Sequence, residues 1–155
     1  MYRQVYIEPQ QRNLQRILWR EDKTQNLNHY TLSTVTYGTS PAAFLAIRSL
    51  HQAAYEKMDS YPQACQTILT DFYVDDLITG SNCIEEVKNL KANITNILKQ
   101  SGFKLTQWMS NHFEILSLDE RSQAENYYIT ENQAVKTLGI LWNPKQDTFL
   151  SLIHI

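Results

Sequence analysis

The chain has 155 residues, 43% of them hydrophobic and 19% charged, which suits one domain that buries a core without disulfides or metals as staples and excludes a disordered chain. No run approaches the roughly 18 uninterrupted apolar residues of a membrane span, and the first residues lack the apolar core of a signal peptide, so a soluble intracellular protein with no membrane partner is expected. The net charge of −2 says little by itself, but its distribution is uneven.

Residues 1–20 carry Arg3, Arg12, Arg16 and Arg20 against Glu8 alone. Between Lys57 and Lys88 there is no Lys or Arg, while Asp59, Asp71, Asp75, Asp76, Glu85 and Glu86 all fall there. The two cysteines, Cys65 and Cys83, have no metal-ligand spacing and read as reduced thiols.

In chain order, 17–19 and 30–35 read as extended segments joined by a polar turn, a β-hairpin. A helix is expected over about 41–58, with Ser40 as N-cap, Pro41 in the first helical position, and Phe44, Ile47, Leu50, Ala54 and Met58 at helical spacing. "SYPQACQTIL" gives a short helix begun by proline. Residues 69–74 and 77–79 then flank Asp75 and Asp76 as two strands of a tight hairpin with the aspartates at its tip. A second long helix runs from 84 to about 100, with Ile84, Val87, Leu90, Ile94 and Ile97 on one face, Asn82 and Glu85 as a capping box, and Gly102 at the left-handed C-terminal position. "GFKLTQWMSN" reads as a strand, 111–130 as a polar irregular stretch, and "AVKTLGILWNP" as a further strand with a glycine inside it. The order predicts an α+β domain with a mainly antiparallel sheet and helices packed on one face.

Adjacent aspartates are commonly a solvated turn, and with no neighbouring cation either water or a metal ion must satisfy these two. Four segments together decide the reading. "TVTYGTSPAAF", "FYVDDLITGS", "GFKL" and "LGILWNP", in that order, resemble the palm of a reverse transcriptase, most closely those of Pao/BEL-type LTR retrotransposons. The resemblance covers residues 1 to about 110 and 135–144. It implies a palm-like antiparallel sheet with part of the fingers: 1–36 as fingers and palm start, 37–110 as palm with the YVDD hairpin, and 131–144 with a primer-grip-like strand.

The resemblance also implies the chemistry. Nucleotidyl transfer uses two divalent ions about 4 Å apart, and hard cations such as Mg²⁺ or Mn²⁺ take oxygen ligands. Asp75 is then a catalytic metal ligand, Asp76 helps to position the site, and Tyr73 packs near the primer terminus. Gly38 matches the nucleotide- and template-contacting glycine; a plain turn glycine is the alternative reading. Pro41 stands three residues after Gly38, where the retroviral pattern has a longer spacing, so Ser40 and Pro41 are read as helix caps. Tyr2 matches the aromatic residue that excludes a ribose 2′-hydroxyl, which would put the family's first catalytic aspartate ahead of Met1. On that match, and with the abrupt "FLSLIHI" ending, the 155 residues are expected to be a fragment or a disabled relic.

Lys104 is a candidate general acid toward pyrophosphate or a solvated strand lysine. Leu138, Gly139 and Ile140 match a hairpin that grips the primer, or form an ordinary core strand. The N-terminal arginines suit phosphate contacts or a plain solvated face. The expected function is RNA-directed DNA polymerase within a retrotransposon particle in the cytoplasm. Its partners would be an RNA or DNA template-primer, deoxynucleoside triphosphates and the rest of a polyprotein carrying fingers, thumb and RNase H. A non-catalytic nucleic-acid-binding remnant of the same fold, and an unrelated metal-binding α+β domain, are the alternatives.

Overall fold

The computed structural model describes residues 1–130, 135–137 and 140–151. Three amphipathic helices make its core: α1 (Ala42–Tyr55), α2 (Pro62–Thr70) and α3 (Ile84–Gln100). Leu50, Ala53 and Ala54 of α1 meet Cys65 and Ile68 of α2, and Leu90, Ile94, Ile97 and Leu98 of α3 close over them. Alanine does much of the work in α1, whose buried face is Ala42, Ala46, Leu50, Ala53 and Ala54; Phe44, expected on that face, is exposed. Small side chains let helices approach closely, and the larger isoleucines of α3 fill what remains.

Proline opens α2 as expected, since its missing N–H costs nothing in a first turn. The C-terminus of α3 is closed by Gly102 at φ +83. Gly102 N–H donates to Lys99 O at 3.1 Å and Phe103 N–H to Leu98 O at 2.8 Å, and the two apolar residues at the ends of the second bond, Leu98 and Phe103, are both buried. This double bond with its apolar contact is the Schellman arrangement. Among the described residues no helix is long and apolar enough to cross a membrane.

The strands form three separate antiparallel sheets, so the class is α+β. β1 (Arg16–Trp19) pairs with β2 (Asn28–Thr31), with Ile17 opposite Tyr30. β3 (Phe72–Tyr73) pairs with β4 (Asp76–Leu77), and β5 (Val135–Thr137), β6 (Ile140–Asn143) and β7 (Thr148–Ser151) form a meander. The N-terminal segment joins the core through Met1 and Val5, and Val35 N–H donates to Val5 O at 2.9 Å.

Several expectations change. Ser40 is not the cap of α1: Pro41 holds that position with no side-chain bond. At α3 the cap is Cys83, whose N–H donates to Ser81 Oγ at 3.3 Å while that hydroxyl donates to Glu86 Oε2 at 2.5 Å, in place of the Asn82–Glu85 box. Residues 104–110 form no strand; among the described residues no strand pairs with them to take their backbone bonds. The polar stretch 111–130 holds a short 3₁₀ turn, Phe113–Ile115, and a helix, α4 (Leu118–Thr130). A capping box starts α4: Ser117 N–H donates to Glu120 Oε2 at 2.7 Å and Glu120 N–H to Ser117 Oγ at 3.3 Å. The single strand expected over the "AVKTLGILWNP" segment is two paired strands, β5 and β6, with Thr137 opposite Ile140; Leu138 and Gly139 lie outside the described residues.

Ile94 is fully buried at the centre of this core and Leu14 is 86% exposed. Ile94→Ala should lower unfolding stability by about 2–5 kcal/mol and Leu14→Ala by less than about 0.5 kcal/mol, read from urea midpoints.

Candidate functional site

The β3–β4 hairpin follows α2 directly. Asp71 closes α2, its carboxylate accepting from Thr70 Oγ1 at 2.6 Å, and Ile78 N–H donates back to Asp71 O at 3.3 Å. Phe72 pairs with Leu77 and Tyr73 with Asp76. Side chains alternate across a strand pair, so Phe72 and Leu77 pack against the helical core while Tyr73 and Asp76 take the other face. The turn is therefore Val74–Asp75, one residue earlier than expected: Asp75 stands at the tip and Asp76 at the start of β4. Both carboxylates are exposed, and Tyr73 is 66% exposed beside them.

Val74 sits at φ +58. For a β-branched residue that is an outlier, costing on the order of 1–3 kcal/mol, and such strain collects at binding and catalytic sites. Gln107 at φ +60 and Asp147 at φ +50 are the other non-glycine residues with positive φ among the described residues. Both line the groove that runs from Asp75 and Asp76.

That groove has a volume of about 660 Å³. The loop after β4 and the outer side of α3 form one wall, residues 105–112 another, and Trp142, Asp147 and Phe149 of the β6–β7 hairpin complete it. Asp147 is held in place by Trp142 Nε1, which donates to it at 3.0 Å, and by Asn111 Nδ2 at 3.4 Å.

Lys91, inside the groove, is committed elsewhere. It donates to Glu120 and, at 3.1 Å, to Ile115 O, and its ammonium lies 5.1 Å from the centre of the Trp108 ring. Burial works to raise the pKa of Glu120, but the hydrogen bonds from Lys91 and Ser117 outweigh it and hold the carboxyl below its ordinary value. Among the described residues no Lys or Arg forms an ion pair with Asp75.

The donor chemistry at the hairpin suits a hard divalent cation, because both adjacent side chains offer carboxylate oxygens. Their number falls short: among the described residues no group of three or more His, Cys, Asp and Glu converges to hold a metal. Water would have to fill most of an octahedral shell.

Tyr2, Gly38 and Lys104 are not part of the groove lining. Tyr2 is half-buried in a 3₁₀ turn, Tyr2–Gln4. Gly38 occupies an exposed turn before α1 at φ +89, a conformation that favours glycine, and open space surrounds the position its Cβ would take. Lys104 is exposed just after α3, and Ile140 begins β6. Sequence reasoning missed Lys91, Trp108, Trp142 and Asp147. Only the Ser117–Glu120 spacing, which starts α4, was a usable signal for that side of the groove. The two free cysteines are remote in character, Cys65 buried and Cys83 exposed. No protein-family model, curated protein or solved structure matches the chain.

Because the pKa of Glu120 is lowered on folding, its contribution to stability is complete above the ordinary value of 4.5 and is lost as pH falls through the lower folded value. The urea midpoint of the wild type should exceed that of Glu120→Gln by a constant margin above about pH 5, and the margin should shrink as the pH drops below about 4.5. A margin that does not change with pH would show that Glu120 acts by packing alone.

Proposed function

We propose that this chain is the palm and part of the fingers of an RNA-directed DNA polymerase of the Pao/BEL-type retrotransposon class. The observation that carries the reading is the hairpin: adjacent aspartates at a strained two-residue turn, presented to solvent by a strand pair whose other face is anchored in the core. The order of the resembling segments along the sequence adds to it. The N-terminal segment bearing Tyr2 leans, through Met1 and Val5, on the cluster that also takes Phe72 and Leu77.

On this reading Asp75 and Asp76 are ligands of Mg²⁺ or Mn²⁺, which supplies charge stabilisation for the shift of a triphosphate toward pyrophosphate. The chain's own contribution is positional. Val74 fixes where Asp75 points, among the described residues no Lys or Arg pairs with Asp75 to occupy its oxygens, and Tyr73 offers an exposed ring on which a primer terminus can rest. Gly38 and Tyr2 would meet template and nucleotide, Lys104 the leaving pyrophosphate, and the 138–140 segment the primer backbone. Among the described residues only the two hairpin carboxylates offer themselves as ligands, so metal affinity is weak and polymerisation by these residues alone is not expected. The partners of the whole enzyme are template-primer, deoxynucleoside triphosphates and the remaining polyprotein domains.

Titration with Mn²⁺, followed by paramagnetic broadening of amide signals, should affect residues 73–78 first, and a deoxynucleoside triphosphate should strengthen the effect. Equal broadening in Asp75→Asn would sink the metal assignment. Primer extension on poly(rA) with Mn²⁺ should give no product from these residues; product that depends on Asp75 would overturn the argument from ligand number.

A further inference from the structure

The β1–β2 hairpin is exposed along all eight of its strand residues, with neither face packed on the core. Two-stranded hairpins are marginal alone, and this one is held at its base. Leu32 N–H donates to Gln15 O at 3.1 Å, and the Gln15 side chain donates to Thr34 O at 3.3 Å and accepts from Thr36 N–H at 3.1 Å. The register puts Ile17 and Trp19 on one face with Tyr30 and Asn28. Ile17, Trp19 and Tyr30 are 42%, 58% and 46% exposed. A lone exposed apolar residue is ordinary, but three on one face of an anchored ribbon mark a surface that binds something.

Charge selects the partner. From residue 9 to residue 55 the chain carries Arg12, Arg16, Arg20, Lys23 and Arg48 against Glu21 and Asp22 alone, within a chain of net charge −2. Asp22 is bound into its own turn, accepting from Thr24 N–H at 2.7 Å and Thr24 Oγ1 at 2.6 Å. Arg12 and Arg16 are braced against Ile7 O at 3.0 Å and Asn13 Oδ1 at 2.8 Å, while Arg20 and Lys23 stand exposed just beyond Trp19.

Trp19 and Tyr30 are diagonal neighbours across the strand pair, a separation of about 7–8 Å. Aromatic rings on adjacent strands beside basic side chains take unstacked bases on the rings and phosphates on the cations. We infer that this face is a stacking platform for a single-stranded polynucleotide, with Trp19 and Tyr30 under two bases and Arg20 and Lys23 on the flanking phosphates. The choice of partner rests on the reading of the chain as a nucleic-acid enzyme; the platform itself stands apart from Asp75.

The test is fluorescence anisotropy with labelled oligo(dT) and oligo(rU) of about 12 nucleotides, within the usual site sizes. The chain should bind both, because a ring stacks on any base whatever the sugar. Trp19→Ala and Tyr30→Ala should each weaken binding about tenfold or more. Arg20→Ala should flatten the dependence of log affinity on log salt by about 0.7. Trp19→Phe should keep most of the affinity, while the quenching of tryptophan emission on binding disappears. A wild type that binds both oligonucleotides but shows no Mn²⁺ broadening at residues 73–78 would count against the polymerase reading alone. The inference is overturned if the wild type binds neither oligonucleotide, or if the Trp19→Ala/Tyr30→Ala pair binds unchanged. It is equally overturned by a concentration-dependent dimer abolished by Trp19→Ala, since the face would then be covered by a second copy.

Discussion

Burial of Phe72 and Leu77 against the three-helix core is the constraint on which the candidate site depends. Strand side chains alternate with period two, so slipping the β3–β4 register by one residue would bring Tyr73 and Asp76 onto the core face. Two terms oppose that slip together: loss of apolar burial, at about 25 cal/mol per Å², and the cost of desolvating a carboxylate. The pairing of Tyr73 with Asp76 follows, and only Val74 and Asp75 remain to make the turn. Val74 then takes a conformation glycine would adopt freely, at a cost on the order of 1–3 kcal/mol that the core must offset. Sequence, packing and strain thus combine to hold Asp75 at one defined place.

Helix α3 links that hairpin to the rest of the molecule. Its inner residues, Leu90, Ile94, Ile97 and Leu98, complete the core, while Lys91, one step around the helix, fastens the first turn of α4 through Glu120 and the turn before it through Ile115 O. Trp108 lies under the same ammonium, which sets one wall of the groove. A largely buried ion pair adds little net stability where a hydrophobic pair would serve, but removing one partner strands the other charge. Its effect here is geometric: it helps to dock the polar α4, which among the described residues buries Ala124 beside Leu116.

What the sequence made legible follows from how local each signal is. The three core helices announce themselves by apolar spacing, proline at the start of α2 and glycine after α3, all features within one or two turns of chain. The N-terminal hairpin and the aspartate hairpin are short-range too. The helix α4 was missed because "LDERSQAENYYIT" has no apolar stripe, although Ser117 and Glu120 spell out its capping box. The segment after Gly102 alternates like a strand, but a strand needs a neighbour, and among the described residues none pairs with it. The site was half readable. Two adjacent aspartates between apolar runs stand out in any reading, whereas Lys91 and Glu120, 29 positions apart, meet only through the fold. The exact turn residues were hidden because they depend on which of Phe72 or Tyr73 the core accepts.

Charge is arranged at a larger scale than any of these contacts. Arg12, Arg16, Arg20 and Lys23 lie on and around an aromatic hairpin the core does not cover, while the stretch from residue 58 to residue 87 has no Lys or Arg. Among the described residues, the lysine that lines the groove below Asp75 is held by Glu120. A guanidinium beside Asp75 would occupy the same oxygens a divalent ion needs and make binding of that ion a displacement. A polyanion, conversely, gains nothing from approaching the exposed Asp75 carboxylate unless a cation bridges the two. On the polymerase reading the two halves of this asymmetry belong together: phosphates are drawn to the arginine-bearing end, and they tolerate the acidic turn only when metal ions accompany them. The separation of charge along the chain then orders the binding events, with polynucleotide contact independent of metal and contact at Asp75 conditional on it.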